Sequence, residues 1–283
     1  LFPISDTPQE TVGLSAGTDE QAYNAAIENA LTSFVIEQLE EAWKSPDLST
    51  FKPIIERASA YVREFQVFER TLEEENTCVR VSAILDSPKL LKDMAMLALR
   101  KMRTKPRIVI ATYGQRQQDE SLSLYAGSAL EQELTRFFEE KGFEIITGDL
   151  LKRLYGTEKL VARLSENEES QVRIAEENLA NAIVLARVNG VSEPTTPGSN
   201  ILRNSLKLWL VIQSTGNQKE KQELTAEAVV NSKEIEEGLE QAELDAFEKI
   251  KNDALVATIL LVSRAEYEPR VIIEANLDTS ETV

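Results

Sequence analysis

Histidine is absent from this chain of 283 residues. Its absence excludes Ser-His and Cys-His nucleophile pairs, histidine general bases and histidine-containing metal sites. Any catalysis would have to use carboxylates, Lys, Tyr or Ser. The densest carboxylate clusters are Glu73–Glu75, Glu166–Glu169 and Glu234–Glu237. None has the spacing of a calcium loop with its central Gly, and each adjoins a turn or a helix start, where negative charge is favoured. We therefore predict no catalytic residue, no metal site and no cofactor.

One loop lies where an open α/β sheet usually binds a ligand, at the carboxyl end of a predicted parallel strand. The segment TYGQRQQDESLSLYAGSALE contains neither GxGxxG nor GxxxxGK(S/T), so the sequence offers no phosphate-binding loop. If the domain binds a small molecule there, the candidate residues are Tyr113, Gln115, Arg116 and Gln117. A ligand-binding or enzymatic α/β domain using this loop is the alternative hypothesis.

Three residues are candidates for contact with another protein. Trp209 lies on the strand face opposite Leu208 and Leu210, and tryptophan is enriched at the centres of interfaces. Val271 and Ile273 belong to a predicted C-terminal strand without an obvious pairing partner in the sequence. An unpaired strand exposes backbone donors and acceptors to another sheet. We predict that residues 269–283 form an interface strand or the first strand of a further domain.

Composition limits the class of partner. The formal net charge of −17 repels nucleic acid and anionic lipid surfaces, and we predict no nucleic-acid partner. We also predict no transmembrane segment, because no stretch approaches the ~20 apolar residues that a membrane-spanning helix needs. The single cysteine, Cys78, is interpreted as a small hydrophobic strand residue and leaves the redox compartment undetermined. The chain begins at Leu1 and not at Met, which leaves two alternatives: a targeting segment has been removed, or the sequence starts internally.

The first part of the chain predicts a small α+β domain over residues 18–104, preceded by a leader or linker at residues 1–17. Apolar residues at spacings of three and four indicate a long helix, and alternating residues indicate an antiparallel hairpin. The predicted elements are a helix from Thr18 or Asp19 to near Trp43, a short helical piece at Phe51–Arg57, strands around Tyr61–Val67 and Val79–Leu85, and a helix beginning at Ser87–Pro88.

The second part predicts a three-layer α/β domain over residues 105–268, with a boundary at Arg103–Pro106. Three apolar strands alternating with helices indicate parallel pairing, and a long alternating hairpin follows, so the sheet should be mixed. The predicted elements are strands at Ile108–Ala111, Phe143–Thr147 and Ala182–Val188, helices at Ser121–Lys141, from Gly148 and at Asn167–Asn181, a hairpin around Leu206–Ile212, and a helix at Lys233–Arg264.

These elements carry a resemblance to known families. PRIVIAT, EEKGFEIITGDLL, LANAIVLARV and SLKLWLVIQSTGN resemble the amino-terminal domain of TolB and the related fold in the curli secretion channel protein and the middle domain of flagellar assembly protein T. AYNAAIENALTSFVIEQL and ASAYVREFQVFERTLEEENTCVRVSAIL are similar to the amino-terminal domain of the flagellar assembly protein T family. Asn181 and the turn Glu73–Asn76 depart from these patterns.

The resemblance implies a bacterial envelope protein with scaffold or assembly duties and no enzymatic activity. The main hypothesis is therefore a non-catalytic structural or assembly protein that is periplasmic or associated with the outer membrane. Its partners would be other envelope proteins, copies of itself or both. A flagellar-motor or secretion-associated role is the narrower form of this hypothesis.

Overall fold

The computed structural model describes residues 7–43, 47–73, 75–117, 121–197, 199–215 and 220–267. Their strands form a three-stranded and a six-stranded sheet. In chain order the elements are β1 Gln9–Ala16, α1 Glu20–Trp43, α2 Lys52–Ile55, β2 Val62–Glu73, β3 Asn76–Leu85, α3 Ser87–Lys101, β4 Arg107–Gln115, β5 Ser123–Leu124, α4 Ala129–Glu140, β6 Glu144–Thr147, α5 Gly148–Tyr155, α6 Thr157–Glu166, α7 Glu168–Glu177, β7 Ala182–Pro194, β8 Leu202–Ser214, β9 Lys221–Ser232 and α8 Ile235–Tyr267.

The smaller sheet has the strand order β1-β3-β2, and both of its pairs are antiparallel. The predicted hairpin is therefore present, and β1 joins it on the other side of β3. Residues Gln9–Ala16, part of the segment interpreted as a leader or linker, therefore form a strand of this sheet. Gly13 lets α1 pack closely on this strand, because a Cβ on Gly13 would lie 1.8 Å from the Ala26 carbonyl oxygen.

The larger sheet is mixed, as predicted. Strand β4 pairs in parallel with β6 on one side and with β7 on the other. The strands β7, β8 and β9 then follow in antiparallel order. The short strand β5 pairs antiparallel with the end of β4. The predicted fold class, an α+β region followed by an α/β region with a mixed sheet, is confirmed.

Several element boundaries differ from the sequence expectation. Helix α4 begins at Ala129 instead of Ser121, since the Ser128 hydroxyl accepts a hydrogen bond from the Glu131 amide at 3.3 Å and caps the helix. Helix α6 was not anticipated, and Gly156, with φ of 78°, separates it from α5. Strand β7 continues to Pro194, beyond the end of the strand predicted at Ala182–Val188.

Helices cover the larger sheet on both faces. Helix α8 packs on β7, β8 and β9, while α5, α6 and α7 enclose a second core against β4 and β7. The main core contains residues of α1 and α3 as well as residues of β8 and α8, so it extends across the predicted boundary at Arg103–Pro106. The domain limits 18–104 and 105–268 stay a prediction. No helix within the described ranges is long and apolar enough to cross a membrane.

Candidate protein-binding surfaces

Arg116, in the candidate ligand loop, is held by α8. Its Nε and Nη2 donate to the Glu243 carboxylate at 2.8 and 3.0 Å, and Nη1 lies 3.4 Å from Oε1 of Glu240. The backbone amide of Arg116 donates to the Tyr125 hydroxyl at 3.0 Å, and its guanidinium carbon lies 4.6 Å from the centre of that ring. The guanidinium of Arg116 therefore attaches the loop to α8.

The electrostatics of this pair follow from its burial. Burial raises the pKa of Glu243, which is fully buried, and the bidentate bonds from Arg116 oppose that rise. Burial alone would lower the pKa of Arg116, but the hydrogen bonds and charge of Glu243, with Glu240, outweigh it and raise the pKa. The two parallel hydrogen bonds have the bidentate geometry in which a guanidinium binds a carboxylate most strongly. This pairing neutralises the cation that an anionic ligand would need.

The other loop candidates have different surroundings. Tyr113 is buried in the second core, where burial raises the pKa of its hydroxyl. Gln115 ends β4 and is half-buried, and Gln117 is exposed. A shallow depression lies nearby, lined by β5 and the start of α6 at Leu124, Thr157 and other residues. No group of three or more His, Cys, Asp or Glu side chains in the described parts of the chain is placed to hold a metal ion.

A buried carboxyl lies under the same end of the sheet. Glu131, in the first turn of α4, is 2% exposed, and burial raises its pKa. Hydrogen bonding of the Glu131 carboxyl to the backbone at Gly127, Asp149, Thr112 and Gly148 opposes this rise in pKa. A Cβ on Gly148 would lie 2.6 Å from a Glu131 oxygen, so this glycine allows the carboxyl to reach the start of α5. The geometry assigns Glu131 a structural role.

Trp209 lies at the centre of the open part of the larger sheet. As expected, it is on the face opposite Leu208 and Leu210, which are buried under α8. The centre of its half-buried ring lies 5.6 Å from Cζ of Arg187 and 5.0 Å from Nζ of Lys207. These cations flank an aromatic ring on a chain that is strongly acidic overall. Its role in binding another protein stays a prediction.

The smaller sheet exposes several large apolar side chains. Helix α1 packs on β1 and β3, and the opposite face of the sheet has no covering element among the described residues. On that open face Val12 is 52% exposed, Leu14 is 53% exposed and Phe68 is 47% exposed. Two more large apolar side chains of β2 are half or more exposed on the α1 side, Phe65 and Leu72.

Strand β2 is exposed along almost its whole length. Every residue of 63–66 and 68–72 is exposed, whereas a strand with one covered face would alternate between buried and exposed residues. The cause is the position of α1, whose contacts fall on β1 and β3. The alternating residues around Tyr61–Val67 predicted a strand and did not indicate this exposure. The remaining interaction candidates, Val271 and Ile273, lie outside the described residues.

Comparison with known proteins finds resemblance in solved structures alone. No family model and no curated protein matches the chain. Lipoprotein GNA1162 from Neisseria meningitidis has 11% identity and a TM-score of 0.35 over 53% of this chain and 99% of its own. The hypothetical protein CT253 from Chlamydia trachomatis has 9% identity and a TM-score of 0.33 over 55% of this chain and 98% of its own. The C-terminal domain of LpoB from Salmonella enterica has 12% identity and a TM-score of 0.24 over 50% of this chain and 94% of its own. Similarity at this level assigns neither a family nor a function.

Proposed function

We propose that the chain is a non-catalytic structural or assembly protein of the bacterial cell envelope, periplasmic or associated with the outer membrane, and that it acts through protein–protein contacts. The observation that carries the proposal is the exposure of large apolar side chains on the smaller sheet. Val12, Leu14 and Phe68 lie on its open face, and Phe65 and Leu72 lie on the α1 side of the β2 edge. Soluble proteins rarely leave large apolar side chains clustered at a surface unless another molecule covers them.

The chemistry of this surface fits a protein partner. Next to the apolar side chains of the open face, Arg80 and Glu69 form an ion pair at 3.3 Å, so this face combines apolar and polar groups. Protein interfaces have this mixed composition. The net charge of −17 works against nucleic acid and anionic lipid as alternatives. The envelope location rests on the resemblance of the first and second parts of the chain to flagellar assembly protein T-like and TolB-like domains. A flagellar or secretion-associated role is the narrower form of this proposal.

The alternative, a ligand-binding or enzymatic α/β domain, has less support. It needs the loop of Tyr113, Gln115, Arg116 and Gln117 to present polar groups to a ligand. The Arg116 guanidinium is instead bonded to Glu243 and Glu240. A ligand using this loop would have to displace that pairing and leave a buried carboxylate behind, which is costly.

A crosslinking experiment in the source bacterium tests the proposal. A photoreactive residue replaces Phe68 or Leu14 in the smaller sheet, and Arg173, an exposed residue of α7, serves as the control position. We expect adducts with one or a few envelope proteins, or with the chain itself, from the first two positions and none from the control. Fractionation should place the chain in the periplasm or with the outer membrane. Recovery in the cytoplasm, or the same adducts from all three positions, would contradict the proposal.

A further inference from the structure

Strand β2 is a free edge of the smaller sheet. It spans Val62–Glu73 and has its principal contacts with β3 and with the short turn that precedes it. Long edge strands with apolar side chains tend to pair with another strand, and proteins commonly protect them with charge, bulges or cover. Two register shifts interrupt β2, one between Val62 and Glu64 and one between Val67 and Glu69. The extra residues are therefore Arg63 and Phe68.

The bulges determine which side chains share a face. A β-bulge places two residues opposite one residue of the neighbouring strand. Phe68 and Glu69 both contact Arg80, with its Cζ 6.0 Å from the Phe68 ring centre and its Nε 3.3 Å from the Glu69 carboxylate, so both are on the open face. The same geometry puts Arg63 and Glu64 together on the open face. Phe65 and Val67, opposite Ala83 and Val81, are on the α1 side.

The two bulges, Arg63–Glu64 and Phe68–Glu69, are arranged symmetrically around Gln66. We propose that β2 pairs antiparallel with β2 of a second copy of this chain, with Gln66 on the twofold axis. This proposal rests on the proposed function and names one partner, a second copy of the chain, for the exposed smaller sheet.

This register makes the faces and the charges complementary. Arg63 faces Glu69 of the second copy, both on the open face, and the twofold axis repeats the pair. Phe65 faces Val67 of the second copy on the α1 side, and Gln66 faces its own symmetry mate. Opposite charges and apolar residues directly across an antiparallel pair stabilise it.

The neighbouring registers lack this match. A shift of one residue that puts Arg63 opposite Arg70 also puts Glu64 opposite Glu69, so like charges face each other. A shift in the other sense puts Glu64 opposite Val67, but these residues are on different faces, because Val67 lies opposite Val81 on the α1 side. Strand register is set where side-chain faces must agree.

Charge variants of the full chain test the pairing. Analytical ultracentrifugation should show a dimer for the unaltered chain, with Arg63→Glu and Glu69→Arg each weakening dimerisation on the order of tenfold or more, since like charges then face each other twice. Mixing the two variants should restore the dimer, because the introduced glutamate then faces the introduced arginine while the native Arg63 and Glu69 still face each other. Circular dichroism checks that each variant is folded. A monomeric unaltered chain, or dimerisation that neither variant weakens, would overturn the proposal.

A disulfide test fixes the register. In a Cys78→Ala background, Gln66→Cys should form a crosslinked dimer under mild oxidation, since directly opposed residues have the Cα separation that a disulfide needs. Thr71→Cys is the control, because its counterpart across the axis is Tyr61. Crosslinking at both positions, or at neither in a dimeric chain, would refute the register. A monomer that still crosslinks to envelope proteins through Phe68 would overturn the self-pairing alone, and a dimer recovered in the cytoplasm would overturn the proposed function alone.

Discussion

Replacing Arg116 with Met should strongly destabilise the fold. The Arg116 side chain is 16% exposed and Glu243 is completely buried, so the substitution leaves a buried carboxylate without its cation. Removing one partner of a buried ion pair typically costs roughly 3–5 kcal/mol. Because Arg116 is partly exposed and Glu240 reaches it from the surface, we expect the lower end of this range, about 3 kcal/mol.

The double variant Arg116→Met with Glu243→Leu tests whether the loss of stability comes from the unpaired buried carboxylate. A well-packed apolar replacement of both partners is often close to neutral, so the double variant should be more stable than Arg116→Met alone. Arg173→Met removes an exposed ion pair with Glu169 and should cause no measurable change, which makes it the matched control.

The assay is urea denaturation followed by circular dichroism, with the free energy of unfolding compared among the variants. A loss below about 1 kcal/mol for Arg116→Met would refute the reasoning, because exposed pairs contribute no more than this. It would mean that the guanidinium does not attach the loop to α8. The ligand hypothesis for this loop would then regain support.

The remaining predictions concern a buried carboxyl, a close backbone contact and the domain boundary. Burial raises the pKa of Glu131 in the folded state, so the free energy of unfolding should fall as pH rises through that pKa, and Glu131→Gln should reduce this pH dependence in urea titrations. Gly13→Ala should cost about 1–3 kcal/mol in the same assay, since its Cβ would collide with the Ala26 carbonyl, and an unchanged midpoint would contradict the close packing of β1 on α1. Limited proteolysis should cut first at Arg103–Pro106 or between β7 and β8, and early cleavage within Ile108–Thr112 would count against two units.

Much of the fold could be predicted from local pattern. Helix α1 follows from apolar residues three and four apart, and α3 from the Ser87–Pro88 start, where the structure places the cap one residue earlier, at Asp86. The change from apolar parallel strands to an alternating hairpin predicted the mixed sheet. These signals are visible because periodicity and caps depend on residues close together in the sequence.

The features that the sequence did not reveal depend on distant partners. Strand β1 looks like a linker until β3 pairs with it and Gly13 admits α1. Arg116 looks like a ligand residue until Glu243, 127 positions later, accepts its hydrogen bonds. The exposure of β2 is set by where α1 lies, which no window of sequence reports. Each of these is a tertiary effect that overrides a reasonable local interpretation.

The C-terminal half of α8 explains how an exposed strand can be held in place. Arg264, near the end of α8, donates a hydrogen bond to the Ala42 carbonyl at the end of α1 and forms an ion pair with Glu220 at 2.6 Å. Helix α3 packs against the same helix. Helix α8 thereby contacts both α1 and α3, and β2 reaches α1 through Arg70, which lies over the Tyr23 ring. An edge strand fixed on a rigid base loses little further conformational entropy when another strand pairs with it, and this favours association through β2 over its burial within one chain.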